Sequence, residues 1–270
     1  MTINDRDVLE LYWVHGCSSC LRMKEFVDKL GVLYRSKDVT AHPEYAERPE
    51  SLGLRIPSAV LGDEGVAGID LEGIARLIGV DYAAPAILSP GVLKIKYDEI
   101  SAVVVELVDQ VSEEDFDIRI EELGRTVRAL MLHIVIIMRG FVAIEETNVF
   151  TDGWDFMPAY VGWHERLTGG TVSKEALIEL AVISRTALDT WWQRVGFDDS
   201  FDRVVESKKK DQTSYWTLHT AFERAVWHTA QHTRQLQFIL GEKFGLEPRV
   251  RLSGDVLLGL PLPDALYAED

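Results

Sequence analysis

Between residues 7 and 14 the apolar positions Val8, Leu9, Leu11, Tyr12 and Trp13 crowd together as in a buried strand, and Gly16 breaks the run. Beyond it the period changes. Leu21, Met23, Phe26, Val27 and Leu30 recur at helical spacings, with Lys24, Glu25, Asp28 and Lys29 between them, and Gly31 stops the helix. The same pattern predicts a strand over residues 32–39, a helix over 43–52, strands over 56–61 and 64–68 joined by a turn at Gly62 and Asp63, and a helix over 70–78. The order β-α-β-α-β-β-α predicts a small α/β domain spanning residues 1–80.

Residues 81–91 turn to Ala, Pro and Ser, with Pro85 and Pro90 and no amphipathic period, which reads as a linker. Residues 92–270 are then predicted as an all-α domain. Apolar positions at three- and four-residue spacings place long helices over 94–111, 120–144, 173–195 and 215–244, a set that suggests a four-helix bundle. Residues 145–171, with Trp154, Pro158, Tyr160, Trp163, Gly169 and Gly170, form a long aromatic connection expected to cap one end of it. A chain of 270 residues has length for two such cores.

Charge narrows the partners. With 44 acidic against 28 basic residues the net charge is −16, a field that repels phosphate backbones and anionic headgroups, so neither nucleic acid nor a membrane is expected. The apolar run over residues 129–138 is half of the ~20 residues a bilayer span requires and carries His133, so it reads as a buried helix. Residues 1–7 lack the basic and apolar regions of a secretory leader, and a cytoplasmic location is the expectation.

The two cysteines are Cys17 and Cys20, so no disulfide framework can link distant parts of the fold. Cys17 is predicted at a helix N-terminus, where unpaired backbone N–H groups and the macrodipole favour the thiolate that attacks disulfides. Cys20, one turn on, is placed to displace a mixed disulfide formed at Cys17. A pair of inert core thiols is the bland alternative, and half of a four-thiolate zinc site lacks its second pair. Pro57 offers no N–H and leaves neighbouring backbone groups to an extended substrate, unless it is simply a strand-entry proline.

On these residues the first eighty positions resemble the glutaredoxin branch of the thioredoxin fold. Arg55-Ile56-Pro57-Ser58 looks like the segment where that family carries a cis-proline, with Ser18-Ser19 where it usually has Pro-Tyr or Pro-Phe between the cysteines. Gly68-Ile69-Asp70 looks like the glycine and acidic residue that bind the γ-glutamyl end of glutathione. The resemblance implies Cys17 and Cys20 as the redox pair, and Ile56, Pro57, Gly68 and Asp70 as binding the thiol substrate.

Of seven histidines, His228 and His232 stand four apart within a predicted helix and face one direction. Such a pair can hold a divalent metal if a third group approaches, and His133 lies midway along an apolar helix where an uncompensated imidazole is costly. The competing reading is a chance spacing and a satisfied core histidine. His219 falls on the opposite face from the pair, His164 has no spacing that assigns it, Trp191, Trp192 and Trp227 read as core, and Lys208 to Lys210 read as a solvated loop.

The segments from Thr126 to His133 and from His228 to Leu236 resemble the signatures of DinB-like (YfiT-like) four-helix bundles, over roughly residues 92–245. That family holds zinc, nickel or a similar ion with one histidine of its second helix and an H-x-x-x-H pair of its fourth, which His133, His228 and His232 match. The resemblance implies thiol-using transferase or isomerase chemistry, with glutathione or another low-molecular-weight thiol as co-substrate, zinc, nickel or iron as the metal, and a homodimer. Joined to the dithiol, the implied activity is a glutaredoxin-like oxidoreductase coupled to a metal-dependent thiol-using bundle. It acts on a small electrophile or a mixed disulfide. A redox-responsive binding module and a metal-dependent hydrolase independent of the dithiol are the alternatives.

Overall fold

A computed structural model of the chain describes residues 8–144, 148–151, 172–195, 199–209 and 212–267. The chain divides into two compact units, Met1–Ala86 with Ile120–Gly124 and Pro263–Asp270, and Ile87–Arg119 with Arg125–Leu262.

In the first unit β1 (Leu9–Trp13) pairs parallel with β2 (Tyr34–Asp38) and antiparallel with β3 (Ser58–Leu61), and β3 pairs antiparallel with β4 (Glu64–Ala67). The mixed sheet therefore runs β2-β1-β3-β4. Parallel strands cannot be joined by a tight turn, and α1 (Ser18–Lys29) supplies the crossover from β1 to β2. Leu9, Leu11 and Trp13 alternate onto one face of β1 and are buried with Met23, Phe26 and Val27 of α1, with Ala59 of β3 and with Ile74 of α3 (Leu71–Leu77). On the opposite face Tyr12 donates its hydroxyl to Glu10 at 2.6 Å. The helix expected over residues 43–52 is a 3-10 turn at Pro43–Ala46 running into α2 (Glu47–Ser51). The C-terminal segment of this unit lies along α1. Glu25 accepts the backbone N–H groups of Asp264 and Ala265 at 2.7 and 2.8 Å, and Lys29 pairs with Asp264 at 2.8 Å.

The second unit is built on α4 (Pro90–Gln110), α5 (Val127–Val142), α6 (Lys174–Val195) and α7 (Leu218–Phe244), with the short α8 (Gly254–Leu257) as a further helix among the described residues. Pro90 stands at the first turn of α4, where its missing N–H leaves no bond unmade, so the helix starts inside the stretch expected to be linker. α4 and α5 each pack against α6 and α7 but scarcely against each other, which sets them at diagonal corners. Phe222 of α7 lies at the centre of this core, with ring centroids at 6.0 Å from Tyr97, 4.6 Å from Phe141, 5.9 Å from Trp191 and 6.0 Å from Phe201.

Three expectations are corrected here. Helix was expected from residue 120, but α5 starts at Val127. Short strands β5 (Arg119–Ile120) and β6 (Arg125–Thr126) flank a 3-10 turn that ends at Gly124, whose φ of 63° is left-handed, and the Thr126 hydroxyl then caps the helix by accepting the Ala129 N–H at 3.2 Å. Helix was expected from residue 215, but β9 (Gln212–Thr217) runs to the N-cap of α7 and pairs antiparallel with β8 (Val204–Lys209). β8 in turn pairs parallel with β7 (Val149–Thr151), giving a three-stranded sheet within the helical unit. Lys208 and Lys209 accordingly belong to a strand, not a loop, while Lys210 lies outside the described residues. Of the aromatic connection only residues 148–151 are described, so Trp154, Pro158, Tyr160, Trp163 and His164 also lie outside them.

Candidate redox pair and histidine cluster

Cys17 is the N-cap of α1, in extended backbone at φ −90° and ψ 106°. Its carbonyl accepts the Leu21 N–H at 3.1 Å and its sulfur accepts the Cys20 N–H at 3.2 Å. The two sulfurs are joined as a disulfide, with 5.2 Å between the Cα atoms. Cys20 is fully buried and Cys17 partly exposed, so Cys17 is the sulfur that an incoming molecule meets first. In the reduced state the N-terminal N–H groups of α1 would lie against a Cys17 thiolate.

Polar and charged groups gather around Trp13, four residues before Cys17. The His15 ring stacks on Trp13 with centroids 5.2 Å apart and planes 9° from parallel, and its Nε2 lies 2.9 Å from Asp38 Oδ2. Trp13 donates its indole N–H to Ser36 at 2.8 Å, and the buried Lys24 places its ammonium 4.2 Å from the Trp13 ring. Burial pushes the Asp38 carboxyl up, but hydrogen bonds from His15 and from the Thr40 and Ala41 backbone outweigh it and hold the group below the usual carboxylate range. None of these groups was assigned from the sequence. An imidazole two residues before the first cysteine was the available signal, and its partner, 23 positions away, was not readable from spacing.

Pro57, Gly68 and Asp70 come to the same end of the sheet as Cys17. Ser58, next to Pro57, pairs with Tyr12 near the C-terminal end of β1 and with Ala67 at the end of β4. The Ile56-Pro57 bond is cis, the Pro57 carbonyl accepts the Gly68 N–H at 2.8 Å, and Ile56 packs against the core of this unit. A methyl group on Gly68 would stand 2.5 Å from Met23 Sδ and 2.7 Å from Pro57 Cβ, which is why a glycine is needed there. Asp70 has a local use: its Oδ1 accepts the Gly73 N–H at 2.7 Å and caps α3.

In the second unit, the packing of α5 on α7 brings His133 against His228 and His232. All three are buried, and one ligand atom from each lies within 4.8 Å of the others. The Nε2 atoms of His228 and His232 are 3.0 Å apart, and His232 Nδ1 is 2.6 Å from Gln235 Oε1. Gln235 was missed at the sequence level, although its position three residues after His232 places it on the same face of α7. Arg224, one turn before His228, lays its guanidinium over the Trp227 ring at 4.4 Å, and Trp227 is buried. Burial holds His228 well below the ordinary imidazole range, reinforced by Arg224, His232, His133 and Arg125. Burial likewise lowers the Arg125 guanidinium to about 10.

The donor set fits a divalent cation. A neutral imidazole keeps a ring lone pair, and two Nε2 atoms 3.0 Å apart need a proton or a cation between them. At nitrogen–metal bonds of about 2.0–2.1 Å a shared ion reaches both. His219 stands apart, with its Nε2 2.8 Å from the Leu88 carbonyl oxygen and its ring 6.0 Å from Phe201.

Among solved structures, the crystal structure of a glutathione transferase homolog from Drosophila mojavensis with bound glutathione aligns with 84% of this chain and 97% of that one, at 12% identity and a TM-score of 0.26, a likeness too low to carry an argument. No curated protein matches the chain. The model of the DinB superfamily matches residues 96–236, which take in the histidine cluster and more than half of the chain, and the chain belongs to that superfamily.

Proposed function

We propose that the helical unit is a metal-dependent enzyme domain that uses a low-molecular-weight thiol such as glutathione on a small electrophile, and that the first unit is a glutaredoxin-like oxidoreductase serving the same thiol pool. The observation that carries the reading is the meeting of three buried imidazoles inside a DinB-superfamily domain. His133, His228 and His232 hold the ion, and three nitrogen donors suit zinc first and nickel or iron next. A divalent ion bound there lowers the pKa of the thiol or water it carries. The protein's own share is to keep the His228 imidazole neutral by burial, with the positive charge of Arg224 and Arg125 beside it.

For the first unit, the sheet order β2-β1-β3-β4 and the parallel crossover through α1 support the thioredoxin-fold reading. In the reaction the Cys17 thiolate attacks one sulfur of a mixed disulfide and expels the other as a thiol. Cys20 then attacks the Cys17 sulfur, releases the second thiol and leaves the Cys17–Cys20 bond. Two equivalents of a small thiol return the pair to the reduced form. Ile56, Pro57, Gly68 and Asp70 form the bank on which the thiol's peptide-like part lies.

Two measurements test the two halves. Elemental analysis should find a divalent ion in the wild type and a loss of ~tenfold or more in His133→Ala, His228→Ala and His232→Ala. Equal metal content in all four proteins removes the metal half. Reduction of a glutathione mixed disulfide should depend on Cys17, and turnover that survives Cys17→Ser removes the oxidoreductase half.

A further inference from the structure

The metal reading names three imidazoles, but an imidazole is a ligand at a given nitrogen only if its proton sits on the other one. On α7, His228, His232 and Gln235 occupy positions i, i+4 and i+7, which stack along one face. All three are buried, so water does not compete for their polar atoms. His232 is the middle member. Its Nε2 faces His228 Nε2 at 3.0 Å, and its Nδ1 faces Gln235 Oε1 at 2.6 Å.

An amide oxygen accepts and does not donate, so the short contact to Gln235 Oε1 places the one proton of neutral His232 on Nδ1. The Nε2 lone pair is then directed toward His228, where the shared ion belongs. Had the amide nitrogen faced Nδ1, the proton would sit on Nε2 and point at the same spot, blocking it. We infer that Gln235 is a positioning residue of the metal centre, which holds His232 in the Nδ1–H tautomer and aims its Nε2 at the ion. This rests on the metal reading for its purpose, but the tautomer is a property of the metal-free chain.

Two readouts separate the two claims. In metal-free protein, a long-range proton–nitrogen correlation spectrum should show the His232 proton on Nδ1, and Gln235→Leu should lose that preference while circular dichroism stays unchanged. A wild-type His232 protonated on Nε2 overturns the inference whatever the metal does. Second, cobalt(II) titrated against a competing chelator should bind Gln235→Leu about 10–100-fold more weakly than wild type. Gln235→Glu, whose carboxylate accepts the same proton more strongly, should bind at least as tightly as wild type. Cobalt affinity equal in wild type and Gln235→Leu overturns the inference even though the metal is held. Cobalt affinity equal in wild type and His228→Ala overturns the metal reading instead, and the tautomer spectrum still decides the role of Gln235. Should Gln235→Leu fail to fold, the wild-type spectrum and the Gln235→Glu affinity decide.

Discussion

At the scale of single residues, the two candidate sites are built by opposite means. Cys17 relies on the Cys20 N–H and the dipole at a helix start, whereas His228 relies on burial that disfavours its charged form. Asp38 shows how the first site is braced, since His15, Thr40 and Ala41 together hold its carboxyl low. The sign follows from linkage. A carboxyl with a depressed folded pKa contributes stability above its unfolded value of about 3.9, and loses it as pH falls through the folded value. Asp38→Asn should therefore weaken hydrogen-exchange protection of Trp13 and of residues 34–38 near pH 7, and the gap to wild type should close below about pH 4. A gap that widens toward acid contradicts the assignment.

Among elements, the tie between α4 and α6 is polar at one point. Lys94, nearly buried on α4, places its ammonium 2.7 Å from both carboxylate oxygens of Asp98 and 2.7 Å from Asp189 on α6. The carboxylates are about half exposed, which limits the energy of the pairs. Lys94→Met keeps the apolar stem and removes the charge, and should cost about 1 kcal/mol in urea unfolding of the helical unit. A loss several times larger would mean that the triad is shielded more than its exposure indicates.

For the whole molecule, the charge of −16 suits a small-molecule or protein partner better than a phosphate backbone, and no helix among the described residues is long and apolar enough to cross a membrane. A ligand that binds only the folded helical unit must stabilise it. With free zinc at 100 times the dissociation constant, the gain is about 2.7 kcal/mol. Stripping the ion with a chelator should lower the melting temperature of the transition that carries the helical unit, and re-adding zinc should restore it. His228→Ala should melt at the same temperature with and without the chelator.

Much of this was legible in the sequence, because some spacings are local. The apolar alternation of β1, the period of α1, and His228 and His232 four apart follow from backbone repeats of two and 3.6 residues. The hairpin of β8 and β9 was not legible, since exposed Val204 beside buried Val205, followed by a polar run, shows neither period. Nor was the start of α5, which depends on a left-handed turn at Gly124. The chain alone determined two cores, a dithiol at a helix start and a pair of imidazoles on one helix face. Only the tertiary structure decided that His133 meets that pair, that Asp38 meets His15, and that the Gln235 oxygen faces His232. Contacts between distant segments depend on how helices and strands pack, and no repeat along a single chain encodes that packing.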